Sequence, residues 1–180
     1  MRIIGGTLRG RRFSPPKNFK ARPTTDTARE SLFNILANYY DFEELTVLDL
    51  FGGTGAISME FASRRASKVT CVEKNYQHYN FINKCIKELN LELVIQPIKA
   101  DVFNFLNRGS IQPVRLIFAD PPFDLVNFEE VLPAVLNSNL LATEGLFILE
   151  HGPKHDYSTH PAFQQQRRYG KVHFSFFQKL

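Results

Sequence analysis

The chain has 180 residues, 43% of them hydrophobic, and two cysteines; that is the size and make-up of one globular domain with a substantial core. No apolar run approaches the roughly 18–20 residues of a membrane span, and the start Met1-Arg2-Ile3-Ile4-Gly5-Gly6 lacks the apolar stretch of a secretory leader. Cys71 and Cys85 form neither a CxxC nor a Cys/His ligand set, so a cytoplasmic protein with no disulfide and no metal is expected.

The formal net charge of +4 is unevenly held. Residues 1–29 carry eight basic side chains and one acid, Asp26, for +7, and the remainder carries −3. A basic arm on a mildly acidic body suggests an anionic partner, commonly nucleic acid. Charge alone leaves a merely solvated tail as an equal reading. Residues 1–21 are rich in Gly, Pro and basic side chains and read as a short hairpin or extended arm. A helix is predicted from near Thr27, because Thr27 and Glu30 have capping-box spacing and Ala28, Leu32, Ile35 and Leu36 share one face. Thr24 and Thr25 read equally as a helix cap or as residues that close the arm over a ligand.

From residue 46, strand and helix patterns alternate. Strands are predicted at 46–50, 68–73, 93–98, 114–119 and 145–150. Helices are predicted at 56–64, 76–89, 102–106 and 127–140, the last kinked at Pro133. This rhythm argues for an α/β fold, a mostly parallel sheet with helices on both faces. Residues 167–180 break the rhythm: Val172, Phe174 and Phe176 alternate with His173, Ser175 and Phe177. They are expected to form a C-terminal antiparallel strand, alone or in a hairpin.

Between the first strand and the first of the alternating helices lies Val47-Leu48-Asp49-Leu50-Phe51-Gly52-Gly53-Thr54-Gly55-Ala56. Glycines there let the backbone turn sharply and approach a ligand closely. Eighteen residues after Gly55, Glu73 ends the second strand, where an acid can accept hydrogen bonds from both hydroxyls of a ribose. An adenosine-containing cofactor is indicated. The dinucleotide fingerprint would align Gly53, Gly55 and Ser58, so its third glycine is missing. Asp49…Gly53-x-Gly55 instead matches the D-x-x-x-G-x-G spacing common in S-adenosylmethionine sites. The candidate cofactor residues are Asp49, Phe51, Gly53, Gly55, Glu73 and Asp101. Asp101 follows the third strand, where it could meet the adenine amino group or simply cap the next helix.

Asp120-Pro121-Pro122-Phe123 follows the fourth strand. In a doubly wound sheet the first and fourth strands of such a series lie side by side at the switch point, and ligands bind beyond their C-terminal ends. Glycine loop and tetrapeptide should therefore face one crevice, one holding a methyl donor and the other its acceptor. The tetrapeptide suits a planar ring bearing an exocyclic amine. Phe123 can lie against the ring face, Asp120 and the Pro121 carbonyl can take the amine hydrogens, and Pro121 and Pro122 stiffen the turn. The five histidines (78, 151, 155, 160 and 173) show no metal-ligand spacing, and His151 and His155 read as loop residues.

On these motifs the chain resembles the Rossmann-like, S-adenosylmethionine-dependent amino-group methyltransferases. More closely, it resembles the bacterial 16S rRNA (guanine(966)-N(2))-methyltransferase family. Arg2-Ile3-Ile4-Gly5-Gly6…Arg9-Gly10-Arg11, Arg22-Pro23-Thr24-Thr25-Asp26…Arg29-Glu30-Ser31-Leu32-Phe33-Asn34 and Arg168-Tyr169-Gly170 carry that closer likeness. The Asp-Pro-Pro-Phe motif is shared with DNA adenine methyltransferases. The resemblance implies a class I methyltransferase fold, a seven-stranded sheet with a C-terminal antiparallel strand. A basic arm over residues 1–26 would precede a methyltransferase domain over 27–180. It implies methyl transfer to a guanine N2 amine in 16S rRNA, free or within the 30S subunit, by a protein that is a monomer by default. Arg9, Arg11, Arg12 and Arg22 are the candidate phosphate contacts. Two residues depart from the family pattern: Gly52 stands where alanine is frequent, read as added flexibility, and Phe123 where tyrosine is frequent. Competing readings are a DNA adenine-N6 methyltransferase, an NAD-dependent oxidoreductase, and a non-catalytic RNA-binding ribosome-assembly factor. The first lacks a separate target-recognition segment, the second an intact fingerprint. Retention of Asp49, Gly53, Gly55, Glu73 and Asp120 argues against the third.

Overall fold

A computed structural model describes residues 1–16, 19, 24–108 and 111–179. The chain forms helix α1 (Asp26–Leu36), then β1 (Thr46–Leu50), α2 (Ala56–Ser63), β2 (Lys68–Glu73), α3 (Tyr76–Glu88), β3 (Ile95–Lys99), α4 (Val102–Arg108) and β4 (Val114–Ala119). Helix α5 (Val131–Asn137) and strands β5 (Leu141–His151), β6 (Phe163–Tyr169) and β7 (Val172–Gln178) complete it. The seven strands make one sheet in the order β3-β2-β1-β4-β5-β7-β6. The first five in that order are parallel; β7 runs antiparallel to β5, and β6 antiparallel to β7. Strand β3 takes the edge, where Pro97 leaves no central ladder bond unmade. Among the described residues no helix is long and apolar enough to cross a membrane.

Alternation along the central strands builds two cores. Val47, Leu116, Phe118, Ile148, Phe174 and Phe176 pack with residues of α1, α2 and α3 on one face. Leu48, Leu50, Ile117, Ala119, Phe147 and Phe177 pack with α4 and α5 on the other. Continuous apolar runs such as Leu116–Ala119 are what a sheet covered on both sides requires.

Several boundaries differ from the sequence expectation for identifiable reasons. Helix α1 is capped by Thr25, not Thr27: Thr25 has extended backbone and its Oγ accepts the Ala28 N–H at 3.3 Å, while Thr27 lies within the first turn. The predicted 127–140 helix is a single 3-10 turn, Phe128–Glu130, followed by the shorter α5. Pro133 is the third residue of α5, where an N–H has no intrahelical partner anyway, so it makes no kink. Strand β5 begins four residues before the predicted 145–150. Its pairing with β4 shifts register between Val114 and Leu116, and Glu144 has φ 58°, which breaks the alternation there. β5 also takes in His151, which is fully buried rather than a loop residue. The predicted C-terminal strand is the second arm of a hairpin that turns at Gly170, φ 64°.

The N-terminal segment folds back on itself and onto the body. Arg2 and Arg12 form an antiparallel bridge, and Ile3 and Phe13 are buried in the core of the α1–α3 face. Buried Glu60 of α2 fastens it: its carboxylate accepts the Ile4 N–H at 2.7 Å and pairs with Arg29 and Arg64. Gly6 has φ 76°, and a Cβ there would lie 2.0 Å from the Ser63 carbonyl oxygen, so only glycine lets the segment lie this close to α2.

Candidate functional site

Strand β1 has β2 on one side and β4 on the other, the switch point at which a crevice opens beyond the strand ends. Leu50 pairs with Ala119, and the Asp120 N–H faces the Leu50 carbonyl at 3.5 Å. The glycine loop and the Asp-Pro-Pro-Phe turn, 65 residues apart at their nearest ends, are thereby neighbours.

The loop is a chain of backbone conformations that most side chains avoid. Phe51, Gly53 and Gly55 have φ of 59°, 55° and 74°. Gly52 serves space rather than flexibility, correcting the expectation above: a Cβ there would sit 2.5 Å from Cys71 Sγ. Glu73 braces the loop. One carboxylate oxygen accepts the Gly53 N–H at 2.7 Å and the other accepts the Asn75 N–H at 2.6 Å. His78 Nδ1 lies 3.8 Å away.

Asp49 is buried beneath the loop. Ser58 Oγ donates to it at 2.5 Å and Cys71 Sγ lies 3.9 Å away. Burial, with Glu73 nearby, pushes its carboxyl up to about 7 against the opposing Ser58 bonds. Asp101 caps α4 by accepting the Asn104 N–H at 3.2 Å and pairs with Lys74 at 3.1 Å. Desolvation, the largest single influence, raises its carboxyl, but the Asn104 bond, Lys74 and the Phe103 N–H together hold it below the usual range. Asp101 also lines, with Phe51, Val102, Phe103, Pro122 and Leu125, a groove of about 680 Å³, a volume suited to a small-molecule ligand.

On the other side of β1, Pro121 is buried while Phe123 is 55% exposed, with its ring free rather than in the core. Among the described residues Asp120 makes no side-chain hydrogen bond. Burial, then the carboxylates of Glu150 and Asp49, raises its carboxyl well above the usual range. Glu150, at the end of β5, is 3% exposed, and Thr24 Oγ donates to it at 2.8 Å. Burial pushes Glu150 up to about 7, opposed by that bond.

The sequence reading missed Glu150, Ser58 and the Thr24 contact. The available signal was that Glu150 lies near the end of a strand, as Asp120 follows one, though nothing local pairs the two. Next to Glu150, His151 points to the opposite face, bonded to the Gly152 carbonyl and Ser175 Oγ at 2.8 Å each. Burial pulls its imidazole down to about 4. His155 bonds Glu129 at 2.7 Å and stacks on Phe128, tying the segment after β5 to the segment after the grip.

Of the predicted arm residues, Arg9, Arg11 and Arg12 are exposed and form no ion pair among the described residues. Arg22 lies outside the described residues. Arg2 and Arg29, also counted in the basic arm, are internally neutralised by Asp26, and Arg29 by Glu60 as well. Phe19 stacks on His78 with centroids 4.0 Å apart, beside Glu73.

A family model described as Conserved hypothetical protein 95 matches residues 1–178. The Escherichia coli (strain K12) protein named Ribosomal RNA small subunit methyltransferase D is 31% identical over 182 residues, 99% of this chain and 90% of its own length. The Haemophilus influenzae protein of the same name is 32% identical over 152 residues, 83% of this chain and 78% of its own length. Among solved structures, a hypothetical protein of Thermus thermophilus superposes with a TM-score of 0.86 at 26% identity over 98% of both chains. An RNA methyltransferase from Salinibacter ruber, solved with S-adenosyl-L-homocysteine, shares the fold at 14% identity, with a TM-score of 0.69 over 88% of this chain and 94% of that one. The sheet is thus the Rossmann-like α/β sheet of methyltransferases. With a match over nearly its whole length, the chain belongs to the Conserved hypothetical protein 95 family, that of the ribosomal RNA small subunit methyltransferase D proteins.

Proposed function

We propose that the protein transfers a methyl group from S-adenosylmethionine to the exocyclic N2 amine of a guanine in the 16S rRNA of the small ribosomal subunit, acting in the cytoplasm. The observation that carries this reading is the adjacency of the braced glycine loop and the Asp-Pro-Pro-Phe turn across the β1–β4 pair. A cofactor-binding loop and an amine grip meet at one switch point, and family membership makes the acceptor ribosomal RNA.

The residues fit the cofactor. Glu73 keeps lone pairs beyond the two it gives to Gly53 and Asn75, enough for ribose hydroxyls. Phe51, Val102 and Phe103 offer an apolar wall for adenine, with Asp101 at its rim. Asp49 acts from below, fixing α2 to β1 through Ser58. When bound, S-adenosylmethionine supplies an electrophilic methyl group on a sulfonium sulfur.

The guanine N2 lone pair is delocalised into the ring and is a poor nucleophile. Asp120 and the Pro121 carbonyl accept its two hydrogens, which favours pyramidal nitrogen and aims the lone pair at the methyl carbon. Once it carries the methyl group, the nitrogen would hold its remaining proton weakly, and that proton would leave by way of Asp120. Much of the rate gain is orientation. Phe123, already exposed, stacks on a base drawn out of its neighbours' stack. Arg9, Arg11 and Arg12, with Arg22, contact phosphates.

The test is labelled methyl transfer to 30S subunits, naked 16S rRNA and DNA, with mapping of the modified base. Label is expected on a guanine N2 of the rRNA; label on DNA adenine would replace this reading. Asp120→Ala is expected to lower the transfer rate by about 10²-fold or more with S-adenosylmethionine binding near normal. Wild-type turnover by that variant refutes the grip.

A further inference from the structure

Glu150 takes no part in the proposed transfer, yet it is one of the most buried carboxylates among the described residues. Strands β4 and β5 are parallel and in register through Ala119 and Leu149, so Asp120 and Glu150, the next residue on each, project to the same face. That is the face of α1 and the N-terminal segment, and Thr24, two residues before α1, reaches across it to Glu150. This hydrogen bond joins groups 126 residues apart.

We propose that Glu150, gripped by Thr24, is a positioning residue that acts through Asp120. Its negative charge keeps Asp120 from ionising until a cation enters the crevice. The proposal rests on the reading of Asp120 as the group by which the N2 proton leaves, a task only its ionised form performs. The charges facing the pair are known. From β1 comes Asp49, with Cys71 and Glu73 of β2 behind it; from β7 the residue paired with Glu150 is Phe174, which is apolar. Arg29, the buried cation of α1, is taken up by Asp26 and Glu60. Like charges this close do not both ionise readily, and the pair retains a proton near neutral pH. The Thr24 hydroxyl donates to Glu150 and so favours its anion, leaving that proton on Asp120. A sulfonium beside Asp120 offsets the repulsion and releases the proton; a neutral thioether does not. The Thr24–Glu150 hydrogen bond thereby ties readiness of the acceptor grip to the presence of the cationic donor.

The experiment has two readouts. Calorimetric titration at pH 7 in buffers of different ionisation enthalpy counts protons released on binding. S-adenosylmethionine is expected to release a measurable fraction of a proton and S-adenosylhomocysteine markedly less, with the difference shrinking in Glu150→Gln. In single-turnover methyl transfer, Glu150→Gln moves the acidic limb of the rate profile to lower pH by about 1 or more. Thr24→Val moves the limb the same way, because Glu150 then takes the proton, and Thr24→Ser restores it. Thr24→Val keeps the question open to test should Glu150→Gln fail to fold. Equal proton release for the two ligands, or a limb unmoved in the folded variants, overturns the proposal. Full activity of Asp120→Ala overturns instead the reading beneath it, so the two failures are distinguishable.

Discussion

The two halves of the crevice are built in opposite ways. At the ends of β1 and β2 nearly every polar group is already satisfied by protein: Glu73 holds the Gly53 and Asn75 amides, Ser58 holds Asp49, and the loop's left-handed residues leave little freedom. At the ends of β4 and β5, Asp120 has no side-chain partner among the described residues, Phe123 is 55% exposed, and Val126 three residues on is fully exposed. The first half is braced by bonds within the protein. The second leaves a carboxyl and an exposed ring without protein partners among the described residues, as the proposed acceptor grip requires. An order of events follows: the cofactor side costs little to organise at binding, while the acceptor side completes itself with substrate.

The sharpest way to break the contrast is to unbrace the first half. Glu73→Ala leaves two partly buried N–H groups without their carboxylate, at about 1–3 kcal/mol each, and removes the ribose acceptors. Affinity for S-adenosylmethionine is expected to fall by about 10²-fold, with a lower melting temperature even without ligand. Calorimetry and thermal unfolding check both. Unchanged affinity would mean that the loop is held by the glycine conformations alone.

The braced half was also the legible half. Gly53 and Gly55 lie just past the end of β1 and Glu73 ends β2, as their spacing predicts, and β1, β2 and β4 match their predicted limits because each is a short, mostly apolar run that stops at a turn. The Asp-Pro-Pro-Phe turn was legible as a motif at a strand end but its environment was not. Nothing local marks Glu150 as a partner of Asp120, since the two meet only through the register of β4 and β5. Thr24 meets Glu150 only because α1, which it precedes, packs on that face of the sheet. Gly52 looked permissive, and only Cys71 two strand positions deep in β2's core face shows that it is required. His151 was hidden by its neighbours, since Gly152 and Pro153 make the run look like a loop although β5 continues through it. Local pattern specified elements; contacts across the sheet specified electrostatics.

A smaller effect probes the open half. Phe123→Ala removes an exposed ring that packs on no core, so folding and cofactor affinity should stay near wild type. If the ring stacks on the target base, substrate KM should rise by an amount worth about 1–3 kcal/mol. Phe123→Tyr should recover it, because the stacking face is kept. A loss of stability in Phe123→Ala, measured by chemical denaturation, would mean that the ring supports the turn rather than the substrate.

The smallest effect belongs to the arm, which touches both halves: Phe19 lies on His78 beside Glu73, and Thr24 reaches Glu150. Its basic residues divide into two groups. Arg2 and Arg29 are paired with Asp26, whereas Arg9, Arg11 and Arg12 are exposed and unpaired among the described residues. Among the described residues of the arm, only the second group is without an internal carboxylate partner. Each of Arg9→Gln, Arg11→Gln and Arg12→Gln should flatten the log–log salt dependence of RNA binding by about 1, with little change in folding or in S-adenosylmethionine affinity. Arg2→Gln should leave that slope alone and instead loosen the hairpin, since Arg2 is tied to Asp26 at the start of α1. Equal slopes for Arg2→Gln and Arg9→Gln would erase the division and make the arm a diffuse positive field rather than a set of placed contacts.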